Sequence, residues 1–294
     1  MAFENVGSIL RMGSVAGSLK LLPLAASSSR PRYRSLFLGL LRPFTKNGEV
    51  RLSYRCYGRR MQCMIRLSDL SSDVYSVFEL SIRDSYELER GFRPDLVIDG
   101  GANIGLFTLR AAAAAADSGP TNFVVCEPLP RNLEQIRKHC KLNGVQVDVL
   151  AGCLGGQRDS IPFYCREALS SSFDPHKPYD SIMQMPVYTL DDALDLHPAA
   201  TRLLIKLDIE GMEMEVLRGF VPRERRPVYV VGELHDVATN AEAFERIFRD
   251  HDWAFEFREI GHEHATFRAC SPAAFPLLPW SQRARRESPV AVNR

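Results

Sequence analysis

Asp99-Gly100-Gly101-Ala102-Asn103-Ile104-Gly105 stands directly after the apolar run Leu96-Val97-Ile98 and opens a helical window, Ile104–Asp117, that is rich in alanine. Glycine lets a backbone turn sharply and approach a ligand closely, and the first turn of a helix presents N–H groups without intrahelical partners. Such a strand-to-helix turn occurs in many nucleotide-binding sheets and also as a tight turn with no ligand, so its surroundings decide the reading. Two acids sharpen it. Asp99 closes the strand and can face a cationic group such as an amine or a sulfonium. Glu127 closes the next apolar run, Phe123–Cys126, 26 residues beyond Gly101 (127 − 101). A carboxylate there can accept the ribose hydroxyls of an adenosine group. The chain contains no G-x-x-x-x-G-K-[ST], which excludes phosphate cradling of the P-loop kind.

Outward from this turn, short apolar runs alternate with amphipathic helical windows, the pattern of βαβ units on a parallel sheet. Ser118-Gly119-Pro120 stops the first helix, and Leu133, Ile136 and Cys140 mark one face of the second, which ends at Asn143-Gly144. Val145–Leu150 reads as the third strand. Ile161–Cys165 and Met185–Thr189 read as extra strands around a polar loop, Ala168–Tyr179. Leu203–Leu207 is a central strand, followed by a short helix, Met212–Arg218, stopped by Gly219. Val228–Val231 is the next strand, with a helix opened by the capping box Thr239-x-x-Glu242. Trp253–Arg258 and Ala265–Cys270 predict a terminal antiparallel hairpin around Gly261. Upstream, Glu49–Tyr57 and Met61–Leu67 predict a hairpin around Gly58-Arg59-Arg60, and Ser71–Glu89 a helix or helix pair with Asp73 near its start. The division is a basic extension (1–48), a hairpin and helical lead-in (49–94), an α/β domain (95–271) and a loose tail (272–294).

With 294 residues, 45% apolar and 25% charged, the chain has ordinary globular composition, which excludes a disordered or fibrous protein. Thirty-seven basic residues against 36 acidic ones argue against a nucleic-acid partner. Residues 1–48 hold seven basic side chains and one acid, Glu4. They read as a transit peptide, a surface-lying amphipathic segment or, preferably, a helical cap on the domain. Leu21-Leu22-Pro23-Leu24-Ala25-Ala26 is too short and proline-broken for a secretory signal, and no run reaches the ~18 apolar residues of a membrane span. Seven cysteines, odd in number and without C-x-x-C, fit free thiols in a reducing compartment, so a cytoplasmic protein is expected.

The sequence resembles the FkbM-type family of S-adenosylmethionine-dependent methyltransferases. The matching pieces, in order, are Val97-Ile98-Asp99-Gly100-Gly101-Ala102-Asn103-Ile104-Gly105-Leu106-Phe107-Thr108, Cys126-Glu127-Pro128 with Asn132, Thr189-Leu190-Asp191-Asp192, Ile205-Lys206-Leu207-Asp208-Ile209-Glu210-Gly211 and Glu233-Leu234-His235. Ser72-Asp73 and Tyr86 also sit where the family tends to place them, and Gly100 stands where a small apolar residue is more usual. The resemblance implies a Rossmann-like class I methyltransferase sheet, mostly parallel with a terminal antiparallel hairpin and helices on both faces. It further implies S-adenosylmethionine as cofactor and a hydroxyl of a sugar or secondary metabolite as acceptor. Asp99, Gly101, Asn103, Gly105, Glu127, Asn132 and Asp208 become the expected cofactor-binding residues.

In an open α/β sheet the ligand lies outside the carboxyl ends of the strands, where Asp208, Glu210, Glu233 and His235 fall. Asp208, Glu233 and His235 are the candidate catalytic residues. His235 is the preferred base, with Asp208 as orienting group or alternative base. The plainer readings are a satisfied structural histidine and a helix-capping aspartate. The same four polar groups could instead hold Mg²⁺ or Mn²⁺, although no metal is assigned. Lys206 alternates away from Leu207, toward solvent or an acid, and Asp191 and Asp192 read as a helix start. Two competing functions remain open: a nicotinamide-dependent oxidoreductase, disfavoured by the D-x-G-x-x-x-G form of the turn, and a non-catalytic adenosine-binding protein.

Overall fold

A computed structural model describes residues 48–80, 85–89, 91–165, 179–261 and 263–284. The basic extension up to residue 47, most of the expected loop Ala168–Tyr179 and the tail beyond 284 lie outside the described residues, as does part of the helical lead-in.

The described residues begin with β1 (Glu49–Cys56) and β2 (Arg59–Arg66), antiparallel across Tyr57-Gly58. Both turn residues have positive φ, 48° and 81°, as a tight two-residue hairpin requires. Then come α1 (Leu70–Phe78), β3 (Leu96–Gly100), α2 (Leu106–Ala115), β4 (Asn122–Cys126), α3 (Pro130–Asn143) and β5 (Asp148–Leu150). Next are β6 (Cys153–Leu154), β7 (Asp159–Cys165), β8 (Ser181–Tyr188), α4 (Leu190–Asp195), β9 (Leu203–Leu207) and α5 (Glu213–Phe220). The chain continues with β10 (Val228–His235), α6 (Val237–Arg249), β11 (Ala254–Ile260) and β12 (His264–Cys270). A 3-10 turn, Pro272–Leu277, and α7 (Pro279–Ala284) are the last described elements.

The central sheet has seven strands in the order β5-β4-β3-β9-β10-β12-β11. The first five run parallel, whereas β12 is antiparallel to β10 and β11 antiparallel to β12. This is the arrangement expected from the sequence, mostly parallel with a terminal antiparallel hairpin. Alternation along the strands builds its two faces. Ile98, Ile205 and Val230 pack beneath α4, α5 and α6, while Val97, Leu204 and Tyr229 face α2 and the C-terminal segment. The order reverses between β3 and β9, so the connections leave in opposite directions and a crevice opens at the carboxyl ends of these strands. The hairpin β1–β2 packs against α2 and α3, and His139 on α3, fully buried, bonds the carbonyl of Ile104 and the N–H of Met64. β6, β7 and β8 form a separate three-stranded sheet.

Four local expectations fail, three of them because packing outweighs a local signal. Gly219 does not stop α5: the helix runs on to Phe220, which is buried, and that burial offsets the ~1 kcal/mol cost of an internal glycine. Thr239 does not open α6, which begins at the buried Val237 after Asp236. The third strand is only Asp148–Leu150. The tail is not loose through Ala284, because Ala274, Leu278 and Trp280 are buried in the core on the α2 side. At Gly100, a Cβ would lie 2.8 Å from Leu154 Cδ2, so close packing at the strand end fits glycine there.

Candidate active site

A cavity of about 670 Å³ lies at the carboxyl ends of β3, β4, β9 and β10. Gly101, Asn103, Glu127, Asn132, Asp208, Glu233 and His235 all line it, whereas Asp99 and Gly105 do not. The sheet register accounts for this gathering. Asp99 stands opposite Lys206 across the β3–β9 pair, so the residues just beyond both strands meet at one level.

Glu127 is buried, 4% exposed, and its carboxylate is held on both sides. Oε2 accepts the Asn103 N–H at 2.8 Å, and Oε1 accepts the Leu129 N–H at 3.0 Å and Asn132 Nδ2 at 3.1 Å. A carboxylate offers about four lone-pair directions, so three donors leave room for about one more strong hydrogen bond. Burial pushes the Glu127 pKa up to about 7, against the pull of those hydrogen bonds.

Asp99 serves the turn from beneath. It is 1% exposed, and its Oδ2 accepts both the N–H (3.1 Å) and the hydroxyl (2.6 Å) of Thr108, tying strand end to helix start. Gly105 precedes α2 at φ 78°. At Gly101, φ is 70° and a Cβ would lie 1.8 Å from the Asp208 carbonyl oxygen. Glycine is thus required by the chain's own approach to β9 as well as by any ligand.

Lys206 does not face solvent. Its ammonium, nearly fully buried, donates to the Gly101 carbonyl at 2.6 Å and lies 3.4 Å from Asp208 Oδ2 and 3.7 Å from Asp99 Oδ1. Asp208 Oδ2 also accepts the Tyr86 hydroxyl at 3.1 Å. Burial opposes charge on Asp208, but Lys206, His235 and the two hydrogen bonds prevail and hold its pKa below the usual carboxylate range. Burial and the charge of Asp208 push Glu233 the other way, up to about 8.

His235, at the end of β10, places Nδ1 2.9 Å from Glu213 Oε1 and Nε2 3.8 Å from Glu210 Oε2. Burial disfavours its charge, but the Glu213 hydrogen bond and the acids around it push its pKa up to about 10. Asn103, Glu210 and Asp236, all on the cavity wall, account for three of the five described non-glycine residues with positive φ. Such conformations cost of order 1–3 kcal/mol each and cluster where a site is held in one shape.

Sequence reasoning missed Glu213, Arg66 and Ser76. Glu213 follows the Asp208–Gly211 motif by two residues, and its role appears only once the turn after β9 is seen to fold it back under His235. Arg66 and Ser76 belong to the lead-in, and no local pattern marks them. Among the described residues, no three His, Cys, Asp or Glu side chains are arranged to hold a metal ion. No helix among them is long and apolar enough to cross a membrane.

The chain is 28% identical over 163 residues to Methyltransferase 1 of Beauveria bassiana (strain ARSEF 2860), covering 48% of this chain and 64% of that protein. It therefore spans less than two thirds of the curated relative. Among solved structures, Methyltransferase FkbM from Methylobacillus flagellatus KT superposes with a TM-score of 0.42 at 15% identity, covering 92% of this chain and 58% of that one. TYW2 of M. jannaschii, solved in complex with AdoMet, gives a TM-score of 0.41 at 13% identity, covering 77% of this chain and 87% of that one. The sequence model of the methyltransferase FkbM domain matches residues 99–265, more than half of the chain. The chain belongs to the FkbM methyltransferase-domain family.

Proposed function

We propose that the protein is an S-adenosylmethionine-dependent methyltransferase acting on a hydroxyl of a sugar or other secondary metabolite. The observation that carries this reading is the meeting of Gly101, Glu127 and Asp208 in one crevice at the point where the strand order reverses. The donor set suits the cofactor. Glu127 keeps about one acceptor direction for a ribose hydroxyl, the apolar side chains of Leu129, Leu154 and Phe163 line the same cavity and suit an adenine ring, and the acids beyond β9 and β10 suit a cation. The cofactor supplies an activated methyl group on a sulfonium, and the acceptor site is the remaining cavity between Asp208, Glu233 and His235.

Positioning supplies most of the rate in this reading, since in-line approach fixed in advance is worth up to ~7–11 kcal/mol. Asp208 is the group ready to take the acceptor's proton at neutral pH, because Lys206 and Tyr86 hold it ionised. His235, with its pKa near 10, carries its own proton there and acts as a cation that gathers Asp208, Glu210 and Glu213. This exchanges the roles assigned from sequence, in which His235 came first.

The test is transfer of labelled methyl from S-adenosylmethionine to pools of hydroxylated metabolites, with equilibrium binding of S-adenosylmethionine and of a nicotinamide dinucleotide measured in parallel. Low-micromolar binding of the first alone, with label appearing in an ether-linked product, is the expected result. Binding without transfer to any pool points to a non-catalytic adenosine-binding protein. Preference for the dinucleotide points to the oxidoreductase.

A further inference from the structure

We propose that the hairpin–helix segment upstream of the family match, residues 49–80, is a working part of the cofactor pocket, with Arg66 and Ser76 as positioning residues for Glu127. The proposal rests on the reading that Glu127 meets the adenosyl ribose.

Each oxygen of Glu127 is held by a donor that this segment in turn orients. On one side stands Asn132, whose Nδ2 donates to Glu127 Oε1 at 3.1 Å. A side-chain amide can present either its oxygen or its nitrogen. Arg66 settles the choice, because a guanidinium has donors only, and its Nη1 lies 3.1 Å from Asn132 Oδ1. The NH₂ group is thereby turned toward the carboxylate. Arg66 ends β2 and is itself held by Asp73 of α1: Nε donates to Oδ2 at 3.0 Å and Nη2 to Oδ1 at 2.7 Å. Arg66 is 8% exposed and Asp73 0%, so this forked pair is shielded from water and fixed in plane.

On the other side, the Asn103 N–H donates to Glu127 Oε2 at 2.8 Å. Asn103 holds φ at 51°, and its Nδ2 donates to Ser76 Oγ at 3.1 Å. The Ser76 hydroxyl spends its proton on the Ser72 carbonyl at 3.1 Å, leaving its oxygen free to accept. Ser72 and Ser76 both line the cavity along one face of α1. The two chains of contact, Arg66–Asn132–Glu127 and Ser76–Asn103–Glu127, therefore start in a segment that lies wholly before residue 99, where the family match begins.

The experiment is calorimetry of S-adenosylmethionine binding to the full chain, run as double-mutant cycles with thermal denaturation alongside. Arg66→Lys keeps a cation beside Asp73, but a compact ammonium cannot also reach Asn132 in a fork. The expected result is a loss of affinity of about 3- to 10-fold, the worth of one hydrogen bond, for Arg66→Lys and for Ser76→Ala in the native background. Both losses should vanish when Glu127 is already Gln, while the change in melting temperature is the same in both backgrounds. If Arg66→Lys fails to fold, Ser76→Ala carries the same cycle. Losses that persist unchanged beside Glu127→Gln, or no losses in the native background while Glu127→Gln weakens binding, overturn the positioning role and leave the ribose reading standing. Unchanged affinity in Glu127→Gln itself removes the ribose reading, and this proposal with it.

Discussion

His235 Nδ1 lies 2.9 Å from Glu213 Oε1, and the same carboxylate oxygen accepts the backbone N–H groups of Ile209 and Gly211. Glu213 is 1% exposed, so a buried carboxylate joins the turn after β9 to the end of β10 through one imidazole.

The first prediction follows from that pair. Folding raises the His235 pKa from 6.5 to about 10, so its contribution to stability is complete below about pH 6.5 and is lost as pH rises through about 10. The stability advantage of the native protein over His235→Gln should therefore be full at pH 6 and shrink steadily toward pH 10. Denaturant titrations at several pH values measure it. In Glu213→Gln, the imidazole pKa read by NMR should fall by more than one unit. An advantage that does not change with pH means the imidazole is neutral when folded, and the roles assigned to His235 and Asp208 revert.

The second prediction concerns Gly101. A Cβ there meets the Asp208 carbonyl oxygen at 1.8 Å, whereas Gly119, also at positive φ, has nothing within 4 Å. Both Gly→Ala changes incur the cost of a left-handed conformation, roughly 1–2 kcal/mol, but only the first also forces β3 and β9 apart. Gly101→Ala should lose more than about 3 kcal/mol and Gly119→Ala about 1 kcal/mol. Equal losses mean that the loop has room the geometry denies. The sequence assigns Gly101 to the close approach of a ligand, whereas the structure places the first collision of a side chain there inside the protein.

The sheet was legible because its signal is periodic and redundant. Leu96–Ile98, Phe123–Cys126 and Leu203–Leu207 are apolar runs set between helical windows, and each became a buried parallel strand. The meeting of Glu127 and Asp208 in one crevice was legible for a related reason, since strand-end residues in such a sheet share one edge. The lead-in was less so. Arg66 reads as an ordinary strand residue, and only the docking of β1–β2 on α3 brings its guanidinium to Asn132. Glu213 fell unmarked inside the short helix Met212–Arg218, and Lys206 read as a residue with a choice between solvent and acid. Their roles depend on how three strand ends align, which no local pattern encodes. The caps at Gly219 and Thr239 failed for the opposite reason: their local signals were real but weaker than burial of Phe220 and Val237.

The last prediction concerns the segment after Ser271, which composition marked as loose. Leu278 and Trp280 are buried, and the Arg268 guanidinium sits 4.3 Å from the Trp280 ring centroid. Trp280 also lies against Tyr229, with ring centroids 6.2 Å apart, on the sheet face opposite α4, α5 and α6. Losing a buried tryptophan to alanine costs about 3–5 kcal/mol through transfer and cavity effects, with the cation–π contact adding to it. A domain of ordinary stability, about 5–15 kcal/mol, would keep its fold but with a large drop in melting temperature. Among the described residues the buried Trp280 Nε1 has no hydrogen-bond partner, so Trp280→Phe sheds an unsatisfied donor and should be clearly milder than Trp280→Ala. Trp280 does not line the cavity, and S-adenosylmethionine affinity measured below the melting transition should stay within about twofold of native in both variants. A chain ending at Ser271 removes both side chains and strips cover from Tyr229, so it should be marginal or unfolded at 25 °C. If that truncated chain melts like the full one, the C-terminal turn and α7 contribute nothing to the core.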